Sequence, residues 1–110
     1  MLRPLFTIVF LTVFAGLASA QDADPSHGEE VFVAQKCAMC HSIAGKGQQK
    51  GPLDDVGSRL SAEEIRLWIV DAKMMTAKTN AARKPPMRTY KLEKADLDAL
   101  VSFLQTLKAP

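Results

Sequence analysis

Cys37-Ala38-Met39-Cys40-His41 is the stretch on which the reading of this 110-residue chain turns. Two thiols three positions apart, followed at once by an imidazole, admit several chemistries. As a structural disulfide, Cys37 and Cys40 would close so short a loop that the unfolded chain would be constrained little. A thioredoxin-like redox pair needs βαβ surroundings, and no strand candidate accompanies the motif. A zinc site needs a fourth ligand and a second cluster, and His27 is the one histidine left over. C-x-x-C-H is also the attachment motif for c-type haem. Thiols at this spacing, in a turn closing a helix, can each add to one of the two vinyl groups on adjacent pyrroles, and the neighbouring imidazole then projects toward the iron as proximal ligand. Haem attachment is the reading that the rest of the chain supports, and a colourless folded protein would return the cysteines to disulfide or zinc chemistry.

Upstream, residues 1–20 read as an export signal. Met1-Leu2-Arg3 supplies a short positive start, Leu5 to Leu17 an almost unbroken apolar run, and Ala18-Ser19-Ala20 a small-residue cleavage site before Gln21. The apolar run is too short for a hydrocarbon core that needs about 20 helical residues. We therefore expect cleavage, no stable membrane insertion afterwards, and a periplasmic protein in residues 21–110.

That mature chain is one small domain with four aromatics, Phe32, Trp68, Tyr90 and Phe103. A chain of this size buries only about 60% of its unfolded surface, so a cofactor in the core fits the arithmetic, and a dinucleotide fold with a substrate domain does not. Charge is nearly balanced, 14 Lys plus Arg against 12 Asp plus Glu, which gives no nucleic-acid partner. The acids crowd the start (Asp22, Asp24, Glu29, Glu30), whereas Lys73, Lys78, Arg83, Lys84, Arg88 and Lys91 follow one another with no acid between them.

Downstream and upstream of the motif the chain reads as helices and loops. Ser26 and Glu29 form a capping-box pattern that opens a helix over 27–36 leading into Cys37. Ile43 to Gly57 carries Gly45, Gly47, Gly51, Pro52 and Gly57 and reads as loop. Ser61 and Glu64 open a second helix with Ile65, Trp68, Ile69 and Ala72 on one stripe. Thr76 to Arg88 is polar and basic, and Pro85-Pro86 forbids helix there, so a loop is expected. A last helix carries Leu97, Leu100, Val101, Leu104 and Leu107 on one face beside Phe103.

The iron's second axial position invites a methionine. Met39 lies inside the attachment turn, too close to reach the opposite face. Met74 and Met75 end the Trp68 helix and read more simply as core or helix end. Met87 sits in a loop stiffened by Pro85-Pro86, where fixed φ values lower the cost of holding a thioether in place. Met87 is favoured, with Met75 next and His27 third, since neutral imidazole also binds haem iron.

The C-x-x-C-H motif near the mature N-terminus, then Gly51-Pro52-Leu53, then a methionine beside prolines before the last helix resembles a small class I bacterial cytochrome c over residues 26–108. The resemblance implies an all-α class I cytochrome c fold of three to five helices around one covalent haem c. It implies that Cys37 and Cys40 carry the thioethers and that His41 and Met87 are the axial ligands. By the same resemblance the carbonyl of Pro52 accepts the proximal imidazole hydrogen. Trp68, with Arg59 and Tyr90 as weaker candidates, lies at the haem edge or propionates. Gly28, Phe32 and Phe103 match positions where the first and last helices pack. Many members have a proline directly after the ligand methionine, whereas here Arg88 follows and the prolines precede.

A haem with both axial positions filled implies an electron carrier rather than an enzyme, working with redox partner proteins that offer an acidic docking face. An open or weakly filled distal site would instead give a small haem enzyme or gas sensor.

Overall fold

The computed structural model describes residues 23–110, so the export signal expected over 1–20 lies outside the described residues. The described chain is mostly helical: α1 (Pro25–Ala34), a 3₁₀ turn (Cys37–Met39), strands β1 (Ser42–Ile43) and β2 (Lys46–Gly47), then α2 (Val56–Arg59), α3 (Ala62–Val70), α4 (Ala72–Thr79) and α5 (Lys94–Gln105). The two short strands form an antiparallel hairpin, Ser42 opposite Gly47 and Ile43 opposite Lys46. This hairpin lies where the glycine-rich stretch reads as loop. None of the described helices is long and apolar enough to cross a membrane.

α1 begins two residues earlier than the capping pattern suggests. Asp24 is its N-cap, accepting hydrogen bonds from the Ser26 backbone N–H and hydroxyl, both at 2.9 Å. Pro25 then takes the first helical position, where a missing N–H costs nothing. Ser26 is thus inside the helix, and its pattern with Glu29 forms no box. At the other end Lys36 adopts a left-handed conformation, φ 57°, which turns the chain out of α1 and into the cysteine motif.

α3 opens as expected. The Ser61 side chain accepts from the Glu64 N–H at 3.1 Å, and the Glu64 carboxylate accepts from the Ser61 N–H at 3.2 Å, completing a reciprocal cap. The stripe breaks before its fourth member. Asp71, with φ −146° and ψ 56°, ends α3, and its side chain accepts from the Met74 N–H at 3.4 Å to start α4. Ala72, fully buried, therefore belongs to α4. This helix runs on to Thr79, four residues into the segment expected as loop, and stops at left-handed Asn80. A short polar sequence without proline or glycine remains helical here, and Pro85-Pro86 comes too late to prevent it.

The first and last helices cross at Gly28. A Cβ there would collide with the backbone carbonyl of Ala99 and the Cβ of Phe103, so only glycine lets the two backbones approach this closely. Phe32 and Phe103 then meet edge to face, ring centroids 5.9 Å apart and inclined at 66°, a geometry worth about 0.5–1.5 kcal/mol beyond area burial. Around this crossing lies the core: Val31 and Phe32 from α1, Val56 from α2, Ile65 and Ile69 from α3, and Leu100, Val101 and Leu104 from α5.

Polar links brace the same elements from outside. His27 Nε2 lies 2.8 Å from Asp96 of α5, and its Nδ1 lies 3.4 Å from Glu30. Arg66 donates to Asp98 at 2.6 Å and so ties α3 to α5. Near the C-terminus the Gly57 N–H donates to Leu107 O at 2.8 Å, and Lys108 Nζ donates to Gly57 O at 2.7 Å, fixing α2 beneath the end of α5. His27 is spent on this brace and does not reach the C-x-x-C-H site.

Candidate functional site

One side of the core opens into a cavity of about 710 Å³, within the range of small-molecule and cofactor sites. Its wall is apolar, built from Phe32, Leu53, Val56, Leu60, Ile65, Ile69, Leu100 and Leu104. Six of these eight are also members of the core, so the same side chains hold the helices together and form the wall.

The C-x-x-C-H turn forms one border. After Lys36 redirects the chain, the Cys40 and His41 N–H groups both donate to Cys37 O, at 3.1 and 2.9 Å. This tight turn gathers Cys37, Cys40 and His41, all of which border the cavity. The two thiols are free of each other and differ in setting: Cys40 is exposed, whereas burial pushes the Cys37 thiol up to about 11.

His41 is prepared as a ligand. Its Nδ1 lies 3.1 Å from the carbonyl oxygen of Gly51. A carbonyl can only accept, so the hydrogen sits on Nδ1 and the lone pair of Nε2 is left for a metal. Desolvation, with a contribution from the Arg83 charge, lowers the pKa of the imidazole against the opposing pull of the Gly51 bond, which favours the neutral form that binds iron. The acceptor corrects the expectation for Pro52. The carbonyl used is that of the preceding residue, Gly51, and Pro52 is not among the residues bordering the cavity. The reason is local: Gly51 O already accepts from the Ser42 N–H at 3.1 Å, and Ser42 O accepts from the Leu53 N–H at 2.9 Å. This parallel bridge turns the Gly51 carbonyl toward the His41 side of the chain.

The methionines separate by position. Met87 is half-buried and borders the cavity. Met75 is buried, 3% exposed, within α4 and is not part of the cavity wall. Met74 is 36% exposed, and Met39, at the rim beside Cys40, is 69% exposed. The segment holding Met87 is tied back by Tyr90 N–H to Ile69 O at 2.8 Å and by Ala72 N–H to the Thr89 hydroxyl at 3.2 Å.

Trp68, Arg59 and Tyr90 all border the same cavity. Arg59 is also paired with Asp55 at 2.8 Å. Tyr90 accepts from Arg88 Nε at 3.1 Å, and the Arg88 guanidinium stands 5.2 Å from the Tyr90 ring centroid. Thr76, Thr79 and Arg83 also line the wall and were not singled out as site residues by sequence. The two threonines become visible only once α4 is known to extend through Thr79. Arg83 stands out only when its contact with Gly51 is seen.

The donor set and the lining fit a haem: two thiols and a neutral imidazole at one border, a thioether from a separate loop, and apolar walls between. Such a site on a helical fold defines a protein of the c-type haem class. The family model described as Cytochrome c matches residues 25–108, and the chain belongs to that family: it is a class I c-type cytochrome, a haem-binding electron-transfer protein. Members of the family bind haem c covalently and work with redox partners. No curated protein matches the chain, and no solved structure does.

Proposed function

We propose that this protein is a periplasmic carrier of single electrons that holds one haem c through Cys37 and Cys40, with His41 and Met87 as axial ligands. The observation that carries the reading is the sorting of side chains around one cavity. Cys37, Cys40, His41 and Met87 all border it, and Met75, the rival thioether, is buried in α4 outside its wall.

The bound haem supplies a one-electron Fe(III)/Fe(II) couple, and transfer to and from it is outer-sphere when both axial positions are taken by protein. The chain's own residues set the terms of that exchange. Cys37 and Cys40 fix the cofactor through thioethers at the mouth of the turn. Nδ1–H of His41, held by Gly51 O, orients the ring and raises its donor strength. With haem bound, Met87 would supply the second protein ligand and so bar oxygen and small ligands, and a thioether there would raise the potential relative to a second imidazole. The apolar wall excludes water and disfavours the extra charge of the ferric form. Trp68 offers its indole N–H, and Arg59 its guanidinium, as partners for the propionates. Lys73, Lys78, Arg83, Lys84, Arg88 and Lys91 bracket Met87 in sequence, and Arg83 and Arg88 border the cavity. They form a basic surface that steers an acidic redox partner. The leader pattern over 1–20 supports export, and among the described residues no helix is long and apolar enough to cross a membrane.

The test is the optical spectrum of protein exported with a cytochrome c maturation system, oxidised and then reduced, followed by denaturation and by carbon monoxide. The reading expects haem that stays attached, a low-spin spectrum with the weak ferric sulfur-to-iron band, and no carbon monoxide binding at neutral pH. Carbon monoxide binding would turn the function toward a haem enzyme or sensor, and a protein without haem would remove both. Electron transfer to the partner should slow as salt rises; a rate indifferent to ionic strength removes the steering role of the basic segment.

A further inference from the structure

The Gly51 peptide, whose carbonyl takes the His41 hydrogen, has a charged neighbour on its other side. A Cβ built at Gly51 would meet the guanidinium of Arg83 and the carbonyl oxygen of Cys40. Glycine at 51 is therefore what lets the Arg83 side chain lie against this peptide. The contact joins two segments distant in sequence: the loop after α4, which also carries Met87, and the loop that supports the proximal histidine. Arg83 borders the main cavity and also an outer cleft lined by Met39, Cys40, Gln48, Lys50, Lys84 and Pro85. No acid lines that cleft, and none of the ion pairs among the described residues uses Arg83. A cation beside the proximal ligand is thus left without a counter-charge.

We propose that Arg83 is a positioning residue that sets the reduction potential: its uncompensated guanidinium, seated on Gly51 beside His41, disfavours the additional positive charge of the ferric state and holds the potential up. The inference rests on the His41-ligated haem of the preceding section. The sign follows from electrostatics. A fixed positive charge repels Fe(III) more than Fe(II), and because Arg83 is exposed the repulsion is partly screened by water and weakens as salt is added. The guanidinium suits the task because it stays charged at every working pH and its flat face can lie on a glycine peptide.

The test compares four haem-loaded proteins by redox titration at low salt, with optical spectra recorded in both states: wild type, Arg83→Gln, Arg83→Lys and Lys94→Gln. Lys94 is paired with Asp98 on α5, and its replacement removes the same charge at a site outside the cavity wall. Arg83→Gln should lower the midpoint so that, at the wild-type midpoint, the Fe(III)/Fe(II) ratio rises at least threefold, about 28 mV for a one-electron couple at 59 mV per tenfold. Arg83→Lys should recover at least half of that fall, Lys94→Gln should leave the midpoint in place, and added salt should shrink the gap between wild type and Arg83→Gln. A midpoint unchanged or raised in Arg83→Gln overturns the proposal. So does Arg83→Lys falling as far as Arg83→Gln, since the cause would then be lost packing rather than lost charge. Altered axial ligation in the glutamine variant alone is settled by the lysine variant, whose recovery or failure decides in the same way. A wild type that carries no haem, or whose spectrum lacks histidine ligation, would instead refute the underlying site assignment, which the wild-type spectrum reads separately.

Discussion

The crossing of α1 and α5 and the segment 80–93 that carries Met87 stand at opposite ends of what holds this molecule together. At the crossing, Gly28 brings two backbones into contact, and Val31, Phe32, Leu100, Val101 and Leu104 are all buried beside it. In the segment, residues 81–86 are exposed, Met87 is half-buried, and the ties to the body are the Ala81 N–H to Thr76 O, the Tyr90 N–H to Ile69 O and the Ala72 N–H to the Thr89 hydroxyl. The fold is made at the first place, and the proposed ligand Met87 lies in the second. A segment with so few buried contacts has a low cost of local opening, so the proposed ligation at Met87 could be lost without loss of the fold, whereas the reverse would not hold.

The largest effect that would break this contrast is expected at Gly28. Gly28→Val drives a branched side chain into the Ala99 carbonyl and Phe103 and should cost about 3 kcal/mol or more, read by chemical denaturation. A variant as stable as wild type would mean that the crossing is looser than described. Met75→Ala comes next. Its thioether is buried in α4 away from the cavity, and its loss should cost about 2–5 kcal/mol by cavity creation while the optical spectrum stays that of wild type. A stability loss together with a spectral change would place Met75 at the iron.

The smallest effect concerns pH and the brace on the crossing. Asp96 and then Glu30 raise the pKa of His27 above its ordinary value near 6.5. Because the folded pKa is the higher one, the protonated ring stabilises the fold fully below the unfolded pKa, and that contribution disappears as pH rises through the folded pKa. Wild type should therefore exceed His27→Gln in stability at pH 5.5 and converge on it well above 6.5, as followed by thermal melts across pH. The Asp96 and Glu30 contacts are solvent-exposed, so the effect is small and fades with salt. A gap that widens with rising pH would contradict the assignment.

The same contrast governs how much was legible in the sequence. Helices α3 and α5 were, because the reciprocal cap of Ser61 and Glu64 and the apolar spacing at Leu97, Leu100, Val101 and Leu104 are local signals that tertiary packing reinforced. The family was also legible from the spacing of Cys37, Cys40 and His41, which the fold gathers at the border of one cavity. What depended on the exact path of the backbone was not. The break at Asp71 moved Ala72 into a new helix, and α4 ran past Thr76 because nothing in that stretch opposes a helix before Asn80. The acceptor for His41 shifted from Pro52 to Gly51 through a bridge between Ser42 and its neighbours that spans too few residues to leave a periodic trace. The seat of Arg83 on Gly51 pairs residues from two loops, and no pattern along the chain announces such a meeting. The brace from His27 to Asp96 joins the first helix to the last, so no local pattern announces it.

The central claim is that the thioether on the weakly held segment, and not the one in the packed helix, completes the haem site. It is tested most directly by recording the ferric spectra of wild type, Met87→Ala and Met75→Ala side by side. Met87→Ala should lose the sulfur-to-iron band and turn high-spin while remaining folded, and Met75→Ala should keep the wild-type spectrum at lower stability. A Met87→Ala protein with the wild-type band, or a Met75→Ala protein without it, would contradict the account.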